Sequence, residues 1–127
     1  VISELGLNPK DYNLVDGCGV SLYNYVSPEL LVAYLRYAYS QKPIFDELYP
    51  ALPIAGVDGT LGGRMKEGKA YKNVHAKTGS VTGVSSLAGY ATASNGHIIA
   101  FSVINQNVMS SAKARAFQDK VCELLCE

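Results

Sequence analysis

The sequence predicts an α+β domain in which helices flank an antiparallel sheet. A capped amphipathic segment begins at Ser27, β-branched segments follow residue 70, and the last fifteen or so residues repeat apolar side chains at helical spacing. The length of 127 residues suits one domain, and a composition that is 48% apolar and 17% charged is not that of a disordered chain. Residues 1–127 are therefore interpreted as one structural unit.

A helix is predicted over residues 28–41. Ser27 can cap the free N–H groups, Pro28 suits the first turn, and Glu29 lies at the positive end of the helix dipole. Arg36 falls on the outward side of this helix. Its apolar face follows the i, i+3, i+4, i+7 pattern with Leu31, Tyr34, Leu35 and Ala38.

Prolines and glycines shape the next stretch. Pro43, Pro50 and Pro53 restrict it to one short helical piece over 44–49, and residues 56–68 are predicted to form a long flexible loop. Strands are then predicted over 74–77, 84–93 and 97–105. Asn95-Gly96 predicts a two-residue hairpin turn between the last two strands.

A closing helix is predicted over residues 111–125, packed on the sheet. The side chains expected on its buried face are Ala114, Phe117, Val121, Leu124 and Leu125. Cys122 and Cys126 lie one helical turn apart, where their geometry is poor for a disulfide, so both are predicted to be free or buried thiols. Cys18 is an improbable nucleophile because no histidine lies near it in sequence.

Charge and cysteine content exclude several classes of protein. Eleven basic residues balance eleven acidic ones, which predicts no nucleic-acid partner, and no apolar stretch is long enough for a transmembrane segment. A zinc site would have to combine Cys18 with His75 or His97, and no paired-ligand spacing supports it, so no metal is predicted. The chain begins at Val1 rather than Met, which indicates a processed or excised segment.

Two clusters carry polar groups suited to chemistry. In Ala76-Lys77-Thr78-Gly79-Ser80, a cation and a hydroxyl lie next to a glycine that leaves room for a ligand along the strand. The second cluster runs from Asp16-Gly17-Cys18-Gly19 to Ser21 and Asn24. Each cluster alone is also typical of an ordinary strand or turn.

Taken in order with the intervening Gly56-Val57-Asp58-Gly59-Thr60-Leu61, these clusters resemble the C-terminal part of low-molecular-mass penicillin-binding proteins. These are the serine D-alanyl-D-alanine carboxypeptidases and endopeptidases. The resemblance extends from about Asp16 to Leu125 and implies the C-terminal portion of a β-lactamase-like or transpeptidase-like domain. It also implies acylation by D-Ala-D-Ala peptides or β-lactams, followed by hydrolysis.

The resemblance assigns roles to individual residues. Ser21 is similar to the second-motif serine that relays a proton, and Lys77, Thr78 and Gly79 to the third motif at the cleft edge. Lys77 would supply a positive electrostatic field in the cleft, and Thr78 would form a hydrogen bond with the substrate carboxylate. The Ser80 N–H is a candidate oxyanion donor. Asn24 takes the second-motif asparagine role, although the strict motif places that residue at the position of Tyr23.

The nucleophile of the family comes from a Ser-x-x-Lys upstream of both motifs, and this chain has none there. Its only Ser-x-x-Lys is Ser110-Ser111-Ala112-Lys113, which follows the third motif and is better explained as a helix cap. The chain is therefore expected to supply part of an active site and to be inactive alone. The nucleophile is expected upstream of Val1.

The expected parent enzyme acts in the periplasm or at the outer face of the membrane, without metal or organic cofactor. Its expected partners are peptidoglycan stem peptides, β-lactams and the remainder of the parent chain. One alternative is a non-catalytic module that binds peptidoglycan or another envelope protein. Another is a related hydrolase of β-lactams or esters.

Overall fold

The computed structural model describes residues 1–127. The helices are α1 (Pro28–Ser40), α2 (Lys42–Ala51) and α3 (Ser111–Leu125), and the strands are β1 (His75–Val81), β2 (Val84–Thr92) and β3 (Ile98–Gln106). Short 3-10 turns cover Ser3–Leu5, Pro9–Asp11 and Gly59–Leu61. The predicted α+β architecture with an antiparallel sheet and flanking helices is confirmed.

The three strands form one sheet in the order β1-β2-β3, and both pairs are antiparallel. Helix α1 packs on β3 and β2, and α3 packs on β2 and β3. The inward-facing positions of β2 alternate, with Leu87 and Ala91 buried in the main core together with Phe101 of β3. The sheet is thus the middle layer of the molecule, and β1 lies at one of its edges.

Helix α1 begins and ends close to the prediction. Ser27 Oγ accepts the N–H of Leu30 at 3.1 Å, which is the expected cap, and Arg36 is exposed. The most buried residues on its inner face are Leu30 and Ala38. The Tyr90 hydroxyl of β2 donates to the carbonyl of Leu35 at 2.7 Å, which fixes the helix to the sheet.

The strand predictions are right in number and wrong in two details. The first strand does not end at residue 77 but continues to Val81, so the Lys-Thr-Gly cluster lies inside β1. The hairpin between β2 and β3 is a three-residue loop, because Ala93 pairs with His97 and only Gly96 has a positive φ, 84°. A residue in that conformation after a tight turn gives the bulged type of hairpin. The two-residue turn is instead Thr82-Gly83, between β1 and β2.

Two segments between α1 and β1 are more ordered than predicted. Helix α2 extends beyond residues 44–49 at both ends, because Pro43 is tolerated in the first turn and Pro50 lies in the last. The prediction of a flexible loop over 56–68 is wrong, since Leu61 and Met65 are buried in the core. The Leu61 carbonyl also accepts the N–H of Gly56 at 3.0 Å, which closes the loop on itself.

The buried face of α3 differs from the predicted one. Ala114, Gln118 and Cys122 face the sheet, whereas Phe117 and Leu124 are 53% and 66% exposed. The helix is rotated from the apolar pattern because a polar network forms beneath it. Gln118 Nε2 donates to Ser85 Oγ at 3.1 Å and to Asn105 Oδ1 at 2.9 Å, while its Oε1 accepts from Arg64. Every polar atom of the buried Gln118 amide is therefore paired.

The Arg64 guanidinium extends that network to the 56–68 loop. Its Nη2 lies 2.6 Å from Asp119 Oδ1, and its Nε lies 2.9 Å from the same oxygen. Glu123 on α3 accepts the N–H groups of Lys69 and Ala70. These contacts hold the loop that leads into β1 against the helix.

The three cysteines are unpaired, which agrees with the prediction for Cys122 and Cys126. Cys122 and Cys126 are buried and Cys18 is exposed. Burial raises the pKa of the Cys122 thiol to about 12. None of the helices combines the length and the apolar character needed to cross a bilayer.

Candidate active site

The outer edge of β1 is covered by another backbone segment at the beginning of the strand and is open further along it. Residues Pro53–Ala55 cover its beginning, because Ala76 N–H donates to Pro53 O at 3.0 Å and Ala55 N–H donates to Val74 O at 2.9 Å. Beyond Ala76 this covering segment makes no further backbone hydrogen bond to the strand. The open stretch of edge therefore begins at Lys77.

The direction of the Ala76 N–H shows which groups line that open stretch. Backbone N–H and C=O groups alternate sides along a strand, so residues 78 and 80 point the same way as residue 76. The N–H groups of Thr78 and Ser80 thus face the outer edge rather than β2. A peptide lying along β1 could be bound by these groups as an added strand.

Lys77 and Thr78 direct their side chains to opposite faces of the sheet. The exposed Lys77 Nζ donates to the carbonyl of Thr78 at 2.8 Å. Thr78 Oγ1 donates to Thr60 Oγ1 at 3.0 Å, which ties the strand to the 3-10 turn at Gly59–Leu61. A charge and a hydroxyl therefore flank the same open edge, which suits binding of an anionic group.

Gly79 lies where no side chain fits. A Cβ at this position would collide with Ser86 Oγ on the neighbouring strand. Its φ is not in the left-handed region, so the requirement for glycine is one of space rather than backbone conformation. Ser86 Oγ also donates weakly to Gly79 O at 3.4 Å.

The segment before α1 is organised around the Asp16 carboxylate. Oδ1 accepts the N–H of Gly19 at 2.7 Å and the side-chain amide of Asn24 at 3.0 Å, and Oδ2 accepts the N–H of Ser21 at 2.7 Å. These bonds, the one from Asn24 foremost, lower the pKa of Asp16 below its ordinary value. Asp16 is therefore ionised at neutral pH.

Asn24 completes this arrangement from the other side. Its Oδ1 accepts the N–H of Val15 at 2.8 Å and of Asp16 at 3.4 Å. An isolated backbone pairing between Asn13 and Tyr25 closes the segment at its base. The polar atoms of Asn24 are thus engaged in holding the segment, which makes it a positioning residue as well as a candidate contact.

A cleft of about 590 Å³ separates this segment from the end of the sheet. Ser21 and Asn24 line one wall, and Gly79 and Ser80 line the other. Four of the residues singled out in the sequence therefore meet in one cleft. Lys77 and Thr78 are not among its lining residues and lie further along the edge of β1. Ser21 Oγ is half-buried and accepts the N–H of Tyr23 at 3.2 Å.

The single Ser-x-x-Lys of the chain, at residues 110–113, has a structural role. Ser110 Oγ accepts the N–H of Lys113 at the start of α3, at 3.4 Å, which is the geometry of a helix cap. Neither residue lines the cleft. The sequence expectation that Ser110 is a cap is confirmed.

Sequence analysis missed the roles of Asp16, Thr60 and Ser86. Asp16 follows an Asx-turn pattern, with a glycine three residues later, which could have indicated that its carboxylate binds nearby N–H groups. Thr60 and Ser86 carry no such local signal. Thr60 reaches Thr78 only through the fold of the intervening chain, and Ser86 faces Gly79 only through strand register.

Comparison with solved structures defines the fold. The chain superimposes on penicillin binding protein 4 (dacB) from Haemophilus influenzae with a TM-score of 0.86 and 32% identity, covering 99% of this chain and 30% of that one. It also superimposes on the TLA-1 extended-spectrum β-lactamase with a TM-score of 0.61 and 22% identity, covering 98% of this chain and 49% of the β-lactamase. The architecture is therefore that shared by penicillin-binding proteins and β-lactamases.

Sequence comparison gives the family. Residues 1–127 match the sequence model of the D-Ala-D-Ala carboxypeptidase 3 (S13) family, and the chain belongs to it. It is 37% identical over 131 residues to a D-alanyl-D-alanine carboxypeptidase from Actinomadura sp., a match that covers 99% of the chain and 24% of that protein. It is 38% identical over 103 residues to D-alanyl-D-alanine carboxypeptidase DacB from H. influenzae, which covers 80% of the chain and 21% of the relative. The chain thus spans about a quarter of the length of these curated relatives.

Proposed function

We propose that this chain forms part of the active-site wall of a serine-type D-Ala-D-Ala carboxypeptidase or endopeptidase that acts on peptidoglycan stem peptides. The observations that carry the proposal are the outer edge of β1, which is open from Lys77 onward, and the cleft in which Gly79 and Ser80 lie opposite Ser21. The membership of the family and the likeness to a penicillin-binding protein solved with a β-lactam support it. Such an enzyme acts outside the cytoplasm, where its substrate lies.

The mechanism follows from the groups on this edge. Lys77 and Thr78 hold the terminal carboxylate of a D-Ala-D-Ala peptide, or the carboxylate of a β-lactam, by charge-assisted hydrogen bonds. The Ser80 N–H, directed to the open edge, stabilises the oxyanion that forms when the carbonyl is attacked. Gly79 lets the substrate backbone approach the strand.

Ser21 has the remaining chemical role. As the family assignment implies, its hydroxyl relays a proton between the catalytic lysine and the leaving amine. The nucleophilic serine and its lysine base belong to the remainder of the parent chain, so the 127 residues alone form no acyl-enzyme. No metal or organic cofactor is required, because a serine, a lysine base and an oxyanion donor suffice for acyl transfer.

Covalent labelling by a fluorescent penicillin tests the proposal. The intact protein is expected to be labelled, Ser21→Ala to slow labelling, and the isolated chain to remain unlabelled. Ser110→Ala serves as the matched control, because removal of a helix cap costs about 1 kcal/mol of stability and leaves the cleft untouched. Loss of labelling in Ser110→Ala, or stable labelling of the isolated chain, would contradict the assignment.

The alternative function, a non-catalytic module that binds peptidoglycan, is separated by the same assay. Such a module would bind stem peptides reversibly and would form no covalent adduct in the intact protein. The open edge and the positive charge of Lys77 are compatible with binding alone. Complete absence of covalent labelling in the intact protein, with stem-peptide binding retained, would favour this alternative.

A further inference from the structure

We propose that Thr60 is a positioning residue for the carboxylate-binding site, and that its hydroxyl donates a hydrogen bond to Thr78 Oγ1 while Thr78 donates to the ligand. The inference rests on the proposed function, in which Thr78 binds the terminal carboxylate of the peptide or β-lactam. It is carried by the direct contact between the two hydroxyl groups and by the way in which the fold fixes the Thr60 backbone. Thr60 acts through Thr78 and does not itself bind the ligand.

The 3-10 turn that carries Thr60 is fixed to the rest of the chain on both sides. Before it, Asp58 Oδ1 accepts the N–H of Ile54 at 2.7 Å, and the Asp58 N–H donates to Ile54 O at 3.3 Å. After it, the Leu61 side chain is fully buried in the core. Ile54 also forms a backbone bridge with His75 at the beginning of β1, which ties the turn to that strand. Thr60 is therefore held at a defined place beside β1.

The hydroxyl oxygens of Thr60 and Thr78 lie 3.0 Å apart, with Thr78 as the donor. A threonine hydroxyl has one proton to donate and can rotate to direct it. Thr78 therefore cannot give the same proton to Thr60 and to a carboxylate. The Thr60 hydroxyl makes no other hydrogen bond within this chain, so its own proton can be directed to Thr78 Oγ1. The hydrogen bond between the two residues is thus expected to reverse when a carboxylate binds.

The reversed hydrogen bond supports the Thr78 hydroxyl in two ways. It occupies a lone pair of Thr78 Oγ1, so the proton of that hydroxyl is directed away from Thr60. A hydroxyl that accepts a hydrogen bond is also a stronger donor, because successive hydrogen bonds polarise one another. Lys77 does not depend on this pair, since its Nζ donates to the Thr78 carbonyl rather than to the hydroxyl. Thr60 should therefore affect the contribution of the Thr78 hydroxyl and not that of the Lys77 charge.

Acylation of the intact protein by benzylpenicillin tests the inference. Thr60→Val keeps the branched shape and removes the hydroxyl, and it should lower the acylation efficiency roughly three- to tenfold, as expected for the loss of one hydrogen bond. Thr60→Ser keeps the hydroxyl and should retain most of the wild-type rate. Thr92→Val makes the same substitution at the end of β2 that lies away from Gly79, and it should leave the rate unchanged.

A double-mutant cycle separates action through Thr78 from a structural role of Thr60. In the Thr78→Val background the partner hydroxyl is already absent, so adding Thr60→Val should cause little further loss of acylation. A distortion of the 3-10 turn, or a direct contact of Thr60 with the ligand, would instead lower the rate by the same factor in both backgrounds. Thermal melting of each variant shows whether folding is retained.

The outcomes distinguish the inference from the function on which it rests. A wild-type rate in Thr60→Val, an equal loss in Thr60→Ser, or an undiminished effect of Thr60→Val in the Thr78→Val background would overturn the inference and leave the proposed function standing. A wild-type rate in Thr78→Val would remove Thr78 from the carboxylate site and the inference with it. If benzylpenicillin does not acylate the intact wild-type protein, the proposed function itself fails.

Discussion

The two walls of the cleft are held in place by different means. On one side, β1 is fixed by its register with β2 and by the 53–55 segment on its outer edge. On the other side, the 13–25 segment has no regular structure beyond one isolated pairing, and a single carboxylate, Asp16, gathers its N–H groups. A ladder distributes its stability over many backbone bonds, whereas this segment depends on a few side-chain bonds centred on Asp16 and Asn24.

The comparison shows why the proposed functional groups on each wall differ in kind. On β1 the backbone itself contributes, through the Ser80 N–H, and side chains at 77 and 78 are placed by strand alternation. On the opposite wall the Ser21 hydroxyl is placed by the turn that Asp16 closes. Changes to exposed side chains of β1 such as Lys77 should therefore affect chemistry with little effect on structure, and changes at Asp16 should affect local structure first.

The largest effect is expected for Lys77→Ala in the intact protein. Loss of a charge-assisted contact to the ligand carboxylate should lower acylation efficiency by about 2 to 4 kcal/mol, or one and a half to three decades in rate. Acylation by a β-lactam is the measurement, and thermal melting should be nearly unchanged because the side chain is exposed. Lys120→Ala, an exposed lysine on α3, is the control. An unaltered acylation rate in Lys77→Ala would remove the main support for the carboxylate site.

A smaller effect is expected for Gly79→Ala, which crowds β1 against β2. The added methyl group collides with Ser86 Oγ and should cost about 1 to 3 kcal/mol in stability, with slower acylation. The Gly79→Ala, Ser86→Ala double variant lacks the Ser86 hydroxyl, so it should recover part of the lost stability and part of the lost acylation rate. Gly63→Ala, where a Cβ meets nothing within 4 Å, is the control for glycine replacement. Absence of any rescue in the double variant would show that the collision is not the cause.

Asp16→Asn should loosen the 13–25 segment alone. Asparagine carries one acceptor oxygen instead of two, so hydrogen exchange at the Gly19 and Ser21 amides should become faster while exchange along β1 stays the same. Asp11→Asn, at an exposed carboxylate that accepts only from the Asn8 side chain, is the control. Faster exchange throughout β1 would mean that the two walls are not independently held.

The lowered pKa of the Asp16 carboxyl predicts how the stability of the 13–25 segment depends on pH. The folded pKa of Asp16 is lowered from 3.8, so its contribution to the segment is fully present above that value and is lost as pH falls through the lower, folded pKa. Amide exchange at Gly19, corrected for intrinsic exchange, should therefore stay constant from neutral pH to pH 4 and rise only in stronger acid. A rise near pH 6 would contradict this assignment.

Thiol labelling should perturb the molecule least. It compares an exposed cysteine on the irregular 13–25 segment with a buried cysteine on helix α3. Cys18 is exposed on the 13–25 segment, whereas Cys122 is buried on the inward face of α3 and its pKa is raised to about 12. A thiol reagent at pH 8 should modify Cys18 in the native protein and Cys122 only after unfolding. Peptide mass analysis at these positions is the measurement. Native labelling of Cys122 at a rate similar to that of Cys18 would show that α3 opens readily.

The sequence by itself determined the features that depend on near neighbours. Ser27 and Ser110 cap helices with N–H groups three residues away, and the position of the hairpin near Gly96, but not the length of its loop, followed from the local sequence. The resemblance to the family was also contained in short motifs around Asp16 and Lys77. These local signals were enough to predict the fold class, the order of the elements and the family.

Only the tertiary structure decided which groups are brought together and which surfaces remain open. The edge of β1 opens at Lys77 because Pro53–Ala55, more than twenty residues earlier, covers the strand as far as Ala76. Helix α3 turns Gln118 inward, against its apolar pattern, because Ser85 and Asn105 satisfy the amide from two different strands. Both outcomes depend on pairings between distant parts of the chain, which local propensity and periodicity do not encode.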